Sequence, residues 1–199
     1  MDTFLKPYRN TRLDRIVGVD DGAFQPNEKA SKCSLVVVAF HNLRILGVRV
    51  GRIEVDGRDA NKVLLSLLKG LRYDVVMLSS VTFGGFNVVD IAALSKNLHK
   101  PVIAITGERP SNDAVRRALR EHFVDWRDRW NMIRSAGRIY SYAPLRKEPR
   151  LYFEVKGATA PFAKKAIGST AAISRLPEPI RVARILARGL SSPAQIRIP

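Results

Sequence analysis

Apolar positions recur along this chain with two different periods. Ile16–Asp20 is a short β-branched run that leads into the turn composition Gly18-Val19-Asp20-Asp21-Gly22. Ser34–Phe40 is a nearly continuous apolar strand, and His41-Asn42 reads as a tight hairpin turn into Leu43–Ile53. There Ile45, Val48, Val50 and Ile53 alternate with Arg44, Arg49 and Arg52, and the slip at Gly47 predicts a β-bulge. From Asp59 the period changes. Val63, Leu64, Leu67, Leu68 and Leu71 follow helical spacing, with Asp59 placed as the N-cap. Asp74–Leu78 and Pro101–Ile105 read as buried strands, and Asn87–Leu98 between them as a helix. Ser111–His122 predicts a capped helix that continues past Trp126. Gly137–Tyr142 and Leu151–Val155 predict strands around a proline-bearing loop, and Ala163–Ile173 and Glu178–Leu190 close the chain as helices.

Three antiparallel strands followed by parallel βα units make a mixed α/β sheet with helices on both faces, the element order of the ribonuclease-H-like fold. The 199 residues suit a single domain, 1–199, ending in a basic helical extension over about 156–199. Net charge is +16, with arginine outnumbering lysine 23 to 11. Val155–Pro199 holds eight basic residues and only Glu178 as an acid, so ion pairing within the segment cannot absorb its charge. That balance favours a polyanionic partner, nucleic acid first. Arg116, Arg117, Arg120 and Arg127 lie on one basic stretch, and Arg181, Arg184 and Arg188 form one helical stripe suited to tracking phosphates. Trp126 and Trp130, four residues apart among arginines, suit either packing on the core or base stacking. Cys33 is alone, which excludes an internal disulfide and a cysteine-based zinc cage. The longest apolar run, Leu35–Phe40, is too short to cross a membrane, and Met1–Asn10 carries no secretory signal, so a cytoplasmic protein is expected.

The candidate chemistry is acidic. Asp20 and Asp21 end the first strand, Asp56 and Asp59 follow the third, and Asp90 opens a helix; each also has a local use in a turn or cap. Gly84-Gly85-Phe86-Asn87 is placed before that same helix, where free N–H groups attract anions, with Asn87 as its cap and Thr82 adding a hydroxyl. His41, His99 and His122 fall at no ligand spacing.

The segments RIVGVDDGAF, VTFGGFNVVDI after DVVML, and RLPEPIRVARILARGL resemble the family called domain of unknown function ninety-nine, which is similar to endonuclease V. The resemblance spans roughly Arg15 to Leu190 and implies a ribonuclease-H-like nuclease fold using Mg²⁺ or Mn²⁺. Matched by position, Asp20 is the first catalytic and metal-binding aspartate with Asp21 beside it, and Asp59, or else Asp56, stands for the second acid. The third acid should end the DVVML strand, where this chain has Ser79-Ser80. A hydroxyl brings no charge to a hard cation, so Ser79 marks a degenerate third position. The histidine segment of endonuclease V is replaced by Gly157-Ala158-Thr159, and its Tyr- and Pro-containing wedge has no match in Gly51–Asp56. The expectation is an endonuclease-V-related nucleic-acid-binding protein, a metal-dependent nuclease with a weakened site. Two alternatives stand beside it: a non-catalytic nucleic-acid-binding module, and an enzyme on a small phosphorylated ligand held at Gly84–Asn87.

Overall fold

A computed structural model describes residues 13–24 and 31–191, so the expectation for Met1–Asn10 and the end of the C-terminal extension, 192–199, lie outside the described residues. Strands β1 (Arg15–Asp21), β2 (Lys32–His41) and β3 (Arg44–Glu54) form the predicted antiparallel meander. The register between β2 and β3 shifts at Ala39/Phe40, where Leu46 is the unpaired residue, one position from the expected bulge. β4 (Val75–Leu78) and β7 (Val102–Thr106) add to β1 in parallel, and β9 (Leu151–Lys156) and β8 (Tyr140–Tyr142) complete the sheet antiparallel. The order is β3-β2-β1-β4-β7-β9-β8, a mixed seven-stranded sheet.

Helices cover both faces because the strand residues alternate. Val17, Val19, Leu35, Val37, Val76, Leu78 and Ala104 pack under α1 (Ala60–Leu68) and α2 (Ile91–Leu98). Ile16, Val75, Met77, Ile103 and Phe153 pack under α5 (Ala160–Thr170) and α6 (Glu178–Ser191), while Val36, Val38 and Phe40 meet the middle of α6. The basic C-terminal segment is thus, up to Ser191, the second helical layer of the sheet rather than an appendage.

Three local expectations are corrected. The helix expected from Asn87 begins at Ile91: Asp90 is its N-cap, accepting from the backbone N–H groups of Ala92 and Ala93, and Asn87-Val88 forms β6, paired with β5 (Thr82–Phe83) in a small hairpin. The helix expected to run past Trp126 breaks into α3 (Asn112–His122) and α4 (Trp126–Ser135). The break exists because Phe123 leaves the helix to pack edge-on against Phe86, with ring centroids 5.5 Å apart, beneath the Arg129 guanidinium. α5 starts three residues early, where Thr159 accepts from the Phe162 N–H and Pro161 lies in the first turn.

One close approach sets how α6 lies on the sheet. A side chain at Gly18 would strike the Pro179 carbonyl, so β1 and the first turn of α6 meet backbone to backbone. Gly18→Ala is therefore expected to lower the unfolding free energy by about 2–3 kcal/mol through overpacking, read from urea denaturation. An unchanged midpoint would mean that α6 can lift without cost.

Candidate functional site

Alternation along β1 points Asp20 toward α6 and Asp21 toward the opposite face. Asp20 is only 4% exposed, and both of its oxygens are engaged. Oδ1 accepts from the Ser79 hydroxyl at 2.5 Å and from the Asp21 backbone N–H at 3.0 Å; Oδ2 accepts from Arg184 Nε at 2.7 Å. Ser79 follows β4, the parallel neighbour of β1, so the sheet itself brings residue 79 beside Asp20. Arg184 reaches in from α6. Asp20, Asp21, Ser79, Ser80, Arg184 and Arg188 line one open cleft of about 620 Å³.

On the other face, Asp21 Oδ2 accepts from the Gly84 N–H at 2.5 Å. Burial pushes the Asp21 carboxyl up to about 6; the Gly84 bond pulls it down, and the nearby Asp20 charge pushes it up again. Asp56 Oδ1 accepts from the Phe86 N–H at 2.8 Å. Asp59 takes the expected N-cap position of α1 but does not cap it with its side chain: Oδ1 accepts from the Glu54 N–H at 3.1 Å, at the end of β3, and from Asn87 Nδ2 at 2.6 Å. The cap of α1 is instead Asn87, fully buried, whose Oδ1 accepts from the Ala60 N–H at 3.1 Å while its Nδ2 also donates to the Glu54 carbonyl.

These contacts correct the Gly84–Asn87 reading. The two glycines, both at positive φ, turn a hairpin and not a helix N-terminus. The Gly84 and Phe86 N–H groups are already held by the carboxylates of Asp21 and Asp56, and two acids at the turn repel a phosphate. Thr82 shares a contact with Ser80 at 3.3 Å.

The proposed cation set fares differently at each position. Asp20 and Ser79 are brought together and Asp21 borders the same cleft, but Asp21 is bound to the Gly84 N–H, and Asp56 and Asp59 are bound to backbone or amide donors on the other face. Among the described residues no three His, Cys, Asp or Glu side chains converge as a metal-holding group. A Mg²⁺ or Mn²⁺ ion needs carboxylate oxygens, and here Asp20 faces a guanidinium and a hydroxyl. The residues present do not fit the ion that the resemblance implies.

The basic residues divide as well. Arg181 is tied to Glu178 by a bidentate pair at 2.8 and 2.7 Å, and Arg184 to Asp20, so two members of the predicted stripe are committed within the chain. Arg116, Arg117 and Arg120 line a shallow groove on α3 with Asp113 and Glu121. The Arg127 and Arg120 guanidinium carbons lie 4.7 and 5.7 Å from the Trp126 ring centre, which half-buries that ring between cations. Trp130 is also half-buried.

Two residues emerge that the sequence did not mark. Arg129 is buried and donates to the carbonyls of Gly57 and Phe86 at 2.9 and 2.7 Å and to Asp125 at 2.9 Å, fastening α4 over the hairpin. Glu154, 7% exposed on β9, faces a second cleft of about 800 Å³ beyond Ser80. Their one-dimensional signals are faint. A charged residue inside an otherwise apolar strand, LYFEVK, is the single cue for Glu154.

Comparison with known proteins gives a family and a fold. The model of the family described as endonuclease dU matches residues 13–191. A protein designated UPF0215 from Methanothermobacter thermautotrophicus is 35% identical over 181 residues, covering 89% of this chain and 87% of that protein. A solved protein from Archaeoglobus fulgidus superposes with a TM-score of 0.78 at 25% identity, covering 88% of this chain and 97% of the other. Ciona intestinalis endonuclease V, solved with a 24mer DNA containing an inosine, superposes with a TM-score of 0.56 at 13% identity, covering 89% and 85%. The last likeness is one of fold: the mixed sheet is ribonuclease-H-like.

Burial pushes Glu154 up to about 7 from an ordinary 4.5. The folded state therefore holds a proton that the unfolded chain releases, and this contribution to stability is full below about pH 4.5 and is lost as pH rises through about 7. The loss is on the order of 3 kcal/mol. Glu154→Gln should flatten unfolding free energy against pH between 5 and 8; an unaltered slope would place the proton elsewhere.

Proposed function

This chain belongs to the endonuclease dU family, and from that premise we propose that it is a cytoplasmic nucleic-acid-binding protein of the endonuclease-V-like class whose strand cleavage is attenuated. The observation that carries this reading is the environment of Asp20. The carboxylate stands where the family resemblance puts the first catalytic acid, yet its partners are Ser79 and Arg184. With a hydroxyl in the third position, the cleft keeps Asp20, with Asp21 tied to the Gly84 N–H at its border, and gains a cation. An arginine there lowers the local negative potential, which weakens a divalent cation site and favours a phosphodiester.

Binding draws on the basic surface. Arg116, Arg117, Arg120 and Arg127 on α3 and α4, with Trp126 among them, offer charge and one aromatic face. Arg184 and Arg188 border the Asp20 cleft. The family description points to deoxyuridine in DNA as the feature recognised, and the overall surplus of 16 positive charges supports a strong phosphate component. The alternative of a small phosphorylated ligand loses its support with the Gly84–Asn87 turn.

Two measurements test the reading. Affinity for a DNA oligonucleotide with one deoxyuridine should fall about a thousandfold between 50 and 200 mM salt if about six phosphates are contacted, and a flat response would remove the nucleic-acid reading. With Mn²⁺ present, the natural protein should bind that DNA while cutting it slowly. Ser79→Asp should restore a carboxylate beside Asp20 and raise Mn²⁺ affinity and cleavage, each by at least about tenfold. Rapid cleavage by the natural protein, with no gain from Ser79→Asp, would show that residue 79 does not limit the site.

A further inference from the structure

The cleft over Glu154 is separate from the Asp20 cleft but shares Ser80 with it. It opens at the carboxyl ends of β4 and β7, between the residues that follow each strand, where open α/β sheets place ligands. Its volume of about 800 Å³ is of the size that takes a small organic ligand. Phe86 and Ile133 give it apolar walls, and Ser80 and Thr82 put hydroxyls at the rim nearest Asp20. Glu154 is the buried acid of its lining.

That acid has no cation. Arg109, Arg134 and Arg175 border the same cleft, but none pairs with Glu154, and Arg175 spends its guanidinium on the carbonyls of Gly107 and Arg150, at 3.1 and 2.8 Å. Among the described residues Glu154 makes no ion pair, and its carboxyl is met only by its own backbone N–H. A carboxyl this buried and unpaired is costly unless something else uses it. Burial pushes this carboxyl up to about 7, so below that pH it is protonated and presents one O–H donor beside one C=O acceptor. That pair is complementary to a cis N–H/C=O edge, the edge that uracil shows at N3 and its flanking carbonyl. The Phe86 ring supplies a flat apolar surface for such a heterocycle, and a base turned out of a strand lying in the Asp20 cleft would enter past Ser80.

We propose that this cleft receives one extruded nucleobase of the bound nucleic acid and that Glu154 reads its imide edge. The inference rests on the nucleic-acid reading above and adds to it the group that hydrogen-bonds the extruded base. Glu154 is a base-contacting residue here and takes no part in bond cleavage.

The test compares two DNA oligonucleotides of one sequence, one carrying deoxyuridine and the other 3-methyldeoxyuridine, whose N3–H is blocked. Affinities are measured by fluorescence anisotropy at low salt without divalent cations. The natural protein should prefer deoxyuridine by about tenfold, the discrimination of one good paired contact. Glu154→Leu should bind both oligonucleotides equally, at the affinity the natural protein shows for the methylated one and with the same salt dependence. Glu154→Gln, whose amide also offers one donor and one acceptor, should keep most of the preference. Equal binding of the two oligonucleotides by the natural protein, or a preference that survives Glu154→Leu, overturns the inference while leaving the nucleic-acid reading in place. Failure to bind either oligonucleotide overturns both.

Discussion

A carboxylate removed from water has to be given partners, and the one at Asp20 organises its end of the sheet. Its three hydrogen bonds draw in β4 through Ser79, the next residue of its own strand, and α6 through Arg184. α6 can answer because Gly18 lets its first turn descend onto β1, two residues before the acid. Glycine and acid therefore act together along one strand: the first sets how near the helix lies, and the second sets which helix residue must face inward. Breaking such a pair costs more than its net contribution, since the charge left behind stays buried.

The two faces of the sheet divide the labour of the acidic residues. On the α6 face Asp20 meets a cation. On the opposite face Asp21, Asp56 and Asp59 hold backbone and amide N–H groups around the β5–β6 hairpin, and buried Arg129 closes that hairpin from above. Those three acids stitch loops together, and the polar network they share with Asn87 satisfies donors that would otherwise be orphaned at the end of β3 and the start of α1. A chain with this many carboxylates near one edge can thus present few of them to a ligand.

Much of the fold was legible because its strands are strongly patterned. The meander, the two buried parallel strands and the hydrophobic face of α1 follow from period alone. Asn87 is misleading in the sequence since an Asn after glycines is a good helix cap in isolation; here it does cap a helix, but one 27 residues earlier in the chain. The break after His122 was hidden for a similar reason, as Phe123 is drawn out of the helix by Phe86, a distant partner. The meeting of Asp20 and Ser79 was readable from their places at the ends of neighbouring strands. The commitment of Arg181 and Arg184 to carboxylates was not, because a helical stripe looks the same whether its charges face solvent or a buried acid. Glu154 lay beyond reach for the opposite reason: one acid in a strand gives no hint of the space in front of it.

Cys33 lies in the core at the start of β2, packed against the Gly84 turn, and burial together with the charges of Asp21 and Asp59 pushes its thiol up to about 12. The thiolate is the reactive form, so at neutral pH this sulfur is inert to alkylating reagents and disulfide exchange while the fold is intact. Because it is the only cysteine in the chain, a second one placed on the surface could be labelled selectively with a dye or spin probe without replacing the native residue. Cys33 would then report something different, since its modification would register each opening of the core.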